Sequence, residues 1–136
     1  MARFLTAQAP HYSRVLDELR AGRKTSHWMW YIFPQIQGLG SSDTARFYAI
    51  ASLDEAKAFL AHEVLGARLR ECTRLVNSVS HSSIVEIFGS IDGMKFRSSM
   101  TLFCSATGDN EAFRLALEKY FDGHPDERTL ALLGEA

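Results

Sequence analysis

The sequence predicts an all-α fold, a compact single-domain bundle of short helices over residues 1–136. Three observations predict it. Apolar residues recur at steps of four and three along Leu65, Leu69, Cys72, Val76 and Val79, which is one stripe along a helix. A serine stands three residues ahead of a glutamate at Ser52 with Glu55 and at Ser83 with Glu86, the pattern of a capping box. No Asn-Gly turn flanks either of the two ambiguous apolar runs, so a strand at those places would have no partner.

From the N-terminus, Val15, Leu16 and Leu19 face one way, and Gly22 ends that first helix. Trp28 to Phe33 is apolar on every side and is read as helical, with Pro34 forcing Phe33 out of helical geometry. Ser52 opens a helix whose buried face is Ala56, Phe59 and Leu60. The helix from Leu65 to Val79 leaves Arg70 and Arg74 outside its apolar stripe. Ser83 starts a short helix, Ile84 to Phe88, ended by Gly89 in the left-handed conformation. Asp92 and Gly93 start a helix running to Ala106, which absorbs the second ambiguous run, Met100 to Cys104. Phe113, Ala116, Leu117, Tyr120 and Phe121 mark another, with Arg114 and Glu118 one turn apart and Gly123 and Pro125 beyond its end. Asp126 to Leu133 is a capped last helix closed by Gly134.

Composition narrows the function. A hydrophobic fraction of 46% and a charged fraction of 23% exclude disorder, collagen and a disulfide scaffold. Fifteen basic and sixteen acidic side chains give a net charge of -1, which excludes a surface built wholly as a counterion for DNA or anionic lipid. Neither a nucleic-acid nor a membrane partner is expected; Glu63 and Glu71 interrupt the basic run of Arg68, Arg70 and Arg74. Cys72 and Cys104 lie far apart outside any CxxC pair, Met1 to Pro10 has no signal-peptide core, and no apolar segment reaches the ~18 residues of a membrane span, so a cytoplasmic protein is expected. No cofactor is expected, because the Gly38 to Asp43 loop lacks the third glycine of a dinucleotide fingerprint and no phosphate loop occurs. No metal is expected either. His11, His27, His62, His81 and His124 are never three or four residues apart.

Two stretches could carry chemistry. Lys24 to Gln35 places both tryptophans, Trp28 and Trp30, two residues apart beside His27 and Lys24, with the Gln35 amide just past Pro34. The segment is either the aromatic centre of a small core or one wall of a pocket. In Asp92 to Ser99, Lys95 and Arg97 stand in early helical turns, where the macrodipole favours acidic side chains. Either an ion pair with Asp92 or Glu86 compensates them, or Lys95 with Ser98 or Ser99 holds an external phosphate or carboxylate. The candidate ligand-binding set is Lys24, His27, Trp30, Gln35, Arg68, Asp92, Lys95, Arg97, Ser98 and Ser99.

Lys24, Ser26 to Trp30 and Phe33-Pro34-Gln35 resemble a small bacterial family known only as a domain of unknown function and often labelled calpastatin. The resemblance continues through Leu65 to Leu69, Ile87 to Asp92 and Lys95 to Phe103, and so covers nearly the whole chain. It implies a compact, mainly α-helical domain without an assigned activity. Tyr31 stands where the family more often has phenylalanine, and His62-Glu63 where it often has His-Pro. The calpastatin label is physically inconsistent, since that inhibitor is a disordered repeat protein and this chain has the apolar stripes of a folded one.

The resulting expectation is a helical domain that binds a small anionic or nucleotide-like ligand. Two alternatives stand beside it: a protein-protein adaptor with Trp28 or Trp30 on its surface, and a hydrolase or transferase. The enzyme version uses His27 as general acid or base and Lys95 with Ser99 as electrostatic stabilisers.

Overall fold

A computed structural model describes residues 1–134. Ten helices succeed one another among them: α1 (Ala2–Gln8), α2 (Tyr12–Arg20), α3 (Met29–Ile32), α4 (Asp43–Phe47), α5 (Leu53–Ala61), α6 (Glu63–Ser78), α7 (Ile84–Phe88), α8 (Ser90–Ala106), α9 (Glu111–Phe121) and α10 (Glu127–Leu132). The core forms around α8, whose run from Ser98 to Phe103 is buried on every side. Phe96, Ser99, Met100, Leu102 and Phe103 are all fully buried, and α5, α7, α9 and α10 pack against it. A helical stretch without a charged side chain on any face has nothing to hold it at the surface and lies inside, whereas the first half of α8 keeps Asp92, Lys95 and Arg97 partly exposed. Helix α6 presents one stripe, Leu65, Leu69, Cys72 and Val76, to α2, α5 and α9, as its spacing requires.

Local signals fix the helix ends. Ser83 and Glu86 form a complete capping box, the hydroxyl accepting from the Glu86 N–H at 3.1 Å and the carboxylate from the Ser83 N–H at 2.9 Å. At Ser52 only half of the box forms. The Ser52 hydroxyl accepts from Glu55 N–H, but the Glu55 carboxylate takes the N–H of Ala51 and the Arg3 guanidinium. Gly89, at φ 84°, ends α7 and at once precedes α8, so α8 begins at Ser90 and Asp92 lies in its first turn instead of capping it. The Trp28–Phe33 run is helical for one turn only, Met29–Ile32. Helices α1 and α4 go beyond the sequence expectations. The first has no side-chain cap, and the second starts where the glycine- and serine-rich loop ends, with Ser42 accepting from Ala45 N–H.

One pair of non-helical backbone bonds anchors the loop between α3 and α5. Gln37 N–H donates to Ile50 carbonyl and Ile50 N–H to Gln35 carbonyl, both at 2.8 Å. This parallel bridge between Ile36 and Ile50 closes the loop carrying α4 and fixes Gln35, Leu39 and Gly40 beside α8.

The α5–α6 corner turns on His62 alone, which ends one helix and caps the next, its Nδ1 accepting from the N–H groups of Val64 and Leu65. So tight a corner brings Gly66 against α5: a Cβ there would lie 2.0 Å from the Leu60 carbonyl oxygen. Gly-to-Ala exchange inside a helix ordinarily stabilises by up to ~1 kcal/mol. At Gly66 the sign reverses, and Gly66→Ala loses about 3 kcal/mol through backbone overpacking. Urea unfolding checks this, and a variant as stable as the parent refutes the close approach.

Candidate functional site

Helix α2 places an acid on its buried stripe. Val15, Glu18 and Leu19 share one helical face, and Glu18 is buried with them. Its carboxylate is satisfied from the segment just after the helix. Oε1 accepts from Thr25 N–H at 2.7 Å, Ser26 N–H at 3.0 Å and the Trp28 indole at 3.0 Å, while Oε2 accepts from the Ser26 hydroxyl at 2.7 Å. Burial works against the charge, but the Ser26 hydroxyl, the two backbone N–H groups and the indole together overcome it. They hold the carboxyl at about 2, against an ordinary 4.5.

Tied in this way, Trp28 packs into an aromatic cluster with Phe33, Phe88 and Phe96, whose ring centroids lie 5.0–6.3 Å apart. The same segment delivers Lys24 to the start of α8. Lys24 Nζ lies 2.8 Å from Asp92 Oδ2 and 5.1 Å above the Trp28 ring, with its side chain 7% exposed. Lys95 is the second cation there, 3.7 Å from Asp92 Oδ1 and 5.0 Å above the half-buried Trp30 ring. One carboxylate thus faces two ammonium groups, and the nearer ammonium takes the closer contact.

Beside Lys95 opens a groove of about 550 Å³ between the 35–40 loop, the first half of α8 and the start of α10. Gln35, Lys95 and Ser98 of the expected set line it, joined by Leu39, Ile91, Met94, Asp126 and Arg128. Asp126 is committed elsewhere: its Oδ2 caps α10, accepting from the N–H and hydroxyl of Thr129. Ser98 donates to the Met94 carbonyl.

The other expected residues lie apart from this groove. His27 is exposed in a separate groove with His11 and Arg14. Arg68 stacks 4.5 Å over the Tyr12 ring and donates to Gln8, fastening α6 to α1 and α2. Arg97 donates to the His124 carbonyl at 3.0 Å and lies 5.5 Å from the Phe121 ring, so it joins α8 to the end of α9. Ser99 is fully buried, and its hydroxyl has no hydrogen-bond partner among the described residues. A side chain so placed cannot meet a substrate from solvent.

Two contributions escaped the sequence reading. Glu18 was legible as an acid three residues after Val15 and one before Leu19 on an apolar face. Arg128 and the pair Ile91 and Met94 gave no local signal, because only the docking of α10 beside α8 brings them to one groove.

Folding depresses the Glu18 carboxyl, so its stabilisation is complete above pH 4.5 and drains away as pH falls toward about 2. Glu18→Gln is expected to cost ~2 kcal/mol at neutral pH, the scale of a hydrogen bond to a charged group. It also flattens the acid limb of the stability profile between those values. Urea unfolding from pH 7 to pH 2 checks both effects, and an unchanged acid limb in the variant counts against the network.

A solved protein shares this architecture. The crystal structure of the conserved hypothetical protein Rv1873 from Mycobacterium tuberculosis, at 1.38 Å, superposes with a TM-score of 0.97 at 57% identity. The match covers 98% of this chain and 95% of that one. Among curated proteins nothing matches. The model of a family described as "Protein of unknown function (DUF1810)" matches residues 1–133, and this chain therefore belongs to the DUF1810 family.

Proposed function

We propose that the groove between the 35–40 loop, α8 and α10 binds a small ligand carrying an anionic group on an apolar or planar stem, as a nucleotide-like metabolite does. The observation that carries this reading is the charge count at its wall. Lys24 and Lys95 share the single carboxylate of Asp92, so one positive charge stays uncompensated, and Lys95 brings it to the groove. Arg128 adds a second cation and Asp126, whose Oδ2 caps α10, the one carboxylate among the described lining residues, so the groove keeps a net positive charge. Leu39, Ile91 and Met94 supply the apolar part and Gln35 a neutral amide. A volume of about 550 Å³ suits a small molecule, for which sites run ~300–1,000 Å³. The two free thiols, Cys72 and Cys104, support a reducing, cytoplasmic setting.

The adaptor reading draws support from different residues than expected. Trp28 is 1% exposed and Trp30 half-buried, whereas Ile91 and Met94 are 74% and 52% exposed at the groove's edge. The hydrolase or transferase reading has less behind it, since His27 and Lys95 line different grooves and Ser99 lies in the core.

A thermal-shift screen of phosphorylated and carboxylated metabolites tests the proposal. At least one compound is expected to raise the parent's Tm, because a ligand that binds only the native state stabilises it. Lys95→Ala is expected to fold with less than ~1 kcal/mol lost, the scale of a partly exposed ion pair, and to abolish that rise. If none of the shifts seen with the parent is lost in Lys95→Ala, this groove is excluded, and a parent that responds to no compound favours the adaptor.

A further inference from the structure

We propose a second anion site, independent of the first: the groove between the start of α2 and the Thr25–Trp28 segment binds the phosphoryl group of phosphate or of a small phosphomonoester. This groove encloses about 300 Å³. His11 and Arg14 line it from the start of α2, Thr25, Ser26, His27 and Trp28 from the segment after that helix, and Tyr31 from α3. Three of these seven side chains are basic, and no carboxylate lines the groove among the described residues. The comparable grooves are different. Asp109 and Glu111 line the one between α6 and α9, Asp126 the one beside Lys95, and Glu118 the one between α8 and α9.

The basic side chains here are also unspent. His11, Arg14 and His27 are all exposed, and none of them forms an ion pair among the described residues. The nearest buried acid is Glu18, which stands behind the wall formed by Thr25 and Ser26. Its two oxygens already accept four hydrogen bonds from Thr25, Ser26 and Trp28. That network does two things for an anion. It keeps the Glu18 charge turned toward its own donors, and it holds the backbone that carries His27 facing α2 in a fixed position. His11 meanwhile immediately precedes α2 and Arg14 lies in its first turn, which contains no acidic residue to balance them. A guanidinium and two imidazoles converging on one small groove match a tetrahedral oxyanion, since Arg offers a planar fork of donors and each imidazole one more. The small volume suits a phosphoryl head with little attached.

The test is an NMR titration of the full chain with inorganic phosphate and, in a parallel arm, phenyl phosphate, each at constant ionic strength made up with chloride. Saturable shifts are expected at the backbone N–H signals of residues 11–14 and 25–28. Arg14→Ala and His27→Ala, both at exposed positions, are expected to fold and to weaken phosphate at least about tenfold, the loss of one charge-assisted hydrogen bond. Lys95→Ala is expected to bind phosphate here as the parent does, which separates this site from the groove beside α8. Binding of both probes identifies a phosphomonoester site, and binding of inorganic phosphate alone identifies a site for the free ion. Linear, non-saturating shifts, unchanged affinity in both Arg14→Ala and His27→Ala, or shifts centred on Lys95 and Arg128 overturn the proposal.

Discussion

The buried carboxylate of Glu18 is the constraint on which the rest of this structure depends. A charge placed on the apolar face of α2 costs several kcal/mol unless it is fully hydrogen-bonded, and the chain meets that requirement by folding its own next segment over it. Two backbone N–H groups, a hydroxyl and an indole all point at the same two oxygens. Each bond to the charged acceptor is worth ~1.5–3 kcal/mol. An irregular stretch with little helical propensity thereby gains one conformation.

What that conformation positions is the contact between this segment and helices α7 and α8. Trp28 enters the aromatic cluster with Phe33, Phe88 and Phe96, which joins the segment after α2 to α7 and α8. Lys24 reaches Asp92 in the first turn of α8, and its N–H donates to the Ile87 carbonyl at 2.8 Å. The acid at Asp92 answers the positive end of the α8 macrodipole and both lysines at once. Because one carboxylate serves two ammonium groups, the neighbourhood of Lys95 keeps a positive charge, and the groove beside it inherits that charge. The electrostatics of the candidate site are therefore a by-product of how the fold is fastened.

The surface divides the candidate residues between two places. Lys95, Gln35 and Ser98 face the groove beside α10, whereas His27 faces α2 on the far end of the same segment. Trp28, 1% exposed, belongs to the lining of the groove against α2 and not to that of the groove beside α10. Both grooves depend on Glu18, directly through Ser26 in one case and through the course of the segment to Lys24 in the other.

Sequence by itself determined the helical class, the stripe of α6, the complete cap at Ser83 and the breaks at Gly89 and Pro34, because each is set by contacts within a turn or two of chain. It also singled out Lys24 to Gln35 and Asp92 to Ser99, since cations and tryptophans in those patterns are unusual wherever they fold. It could not show that Lys24, 68 positions before Asp92, takes the closer half of that carboxylate, nor that Arg97 would be spent on the His124 carbonyl. Nor could it separate Ser98 from Ser99, one lining a groove and the other lost in the core, because α8 is buried on nearly every side and its own periodicity is weak. Those choices belong to the tertiary structure. Which cation is neutralised, and which stays free to meet a ligand, depends on distances between helices that no local pattern encodes.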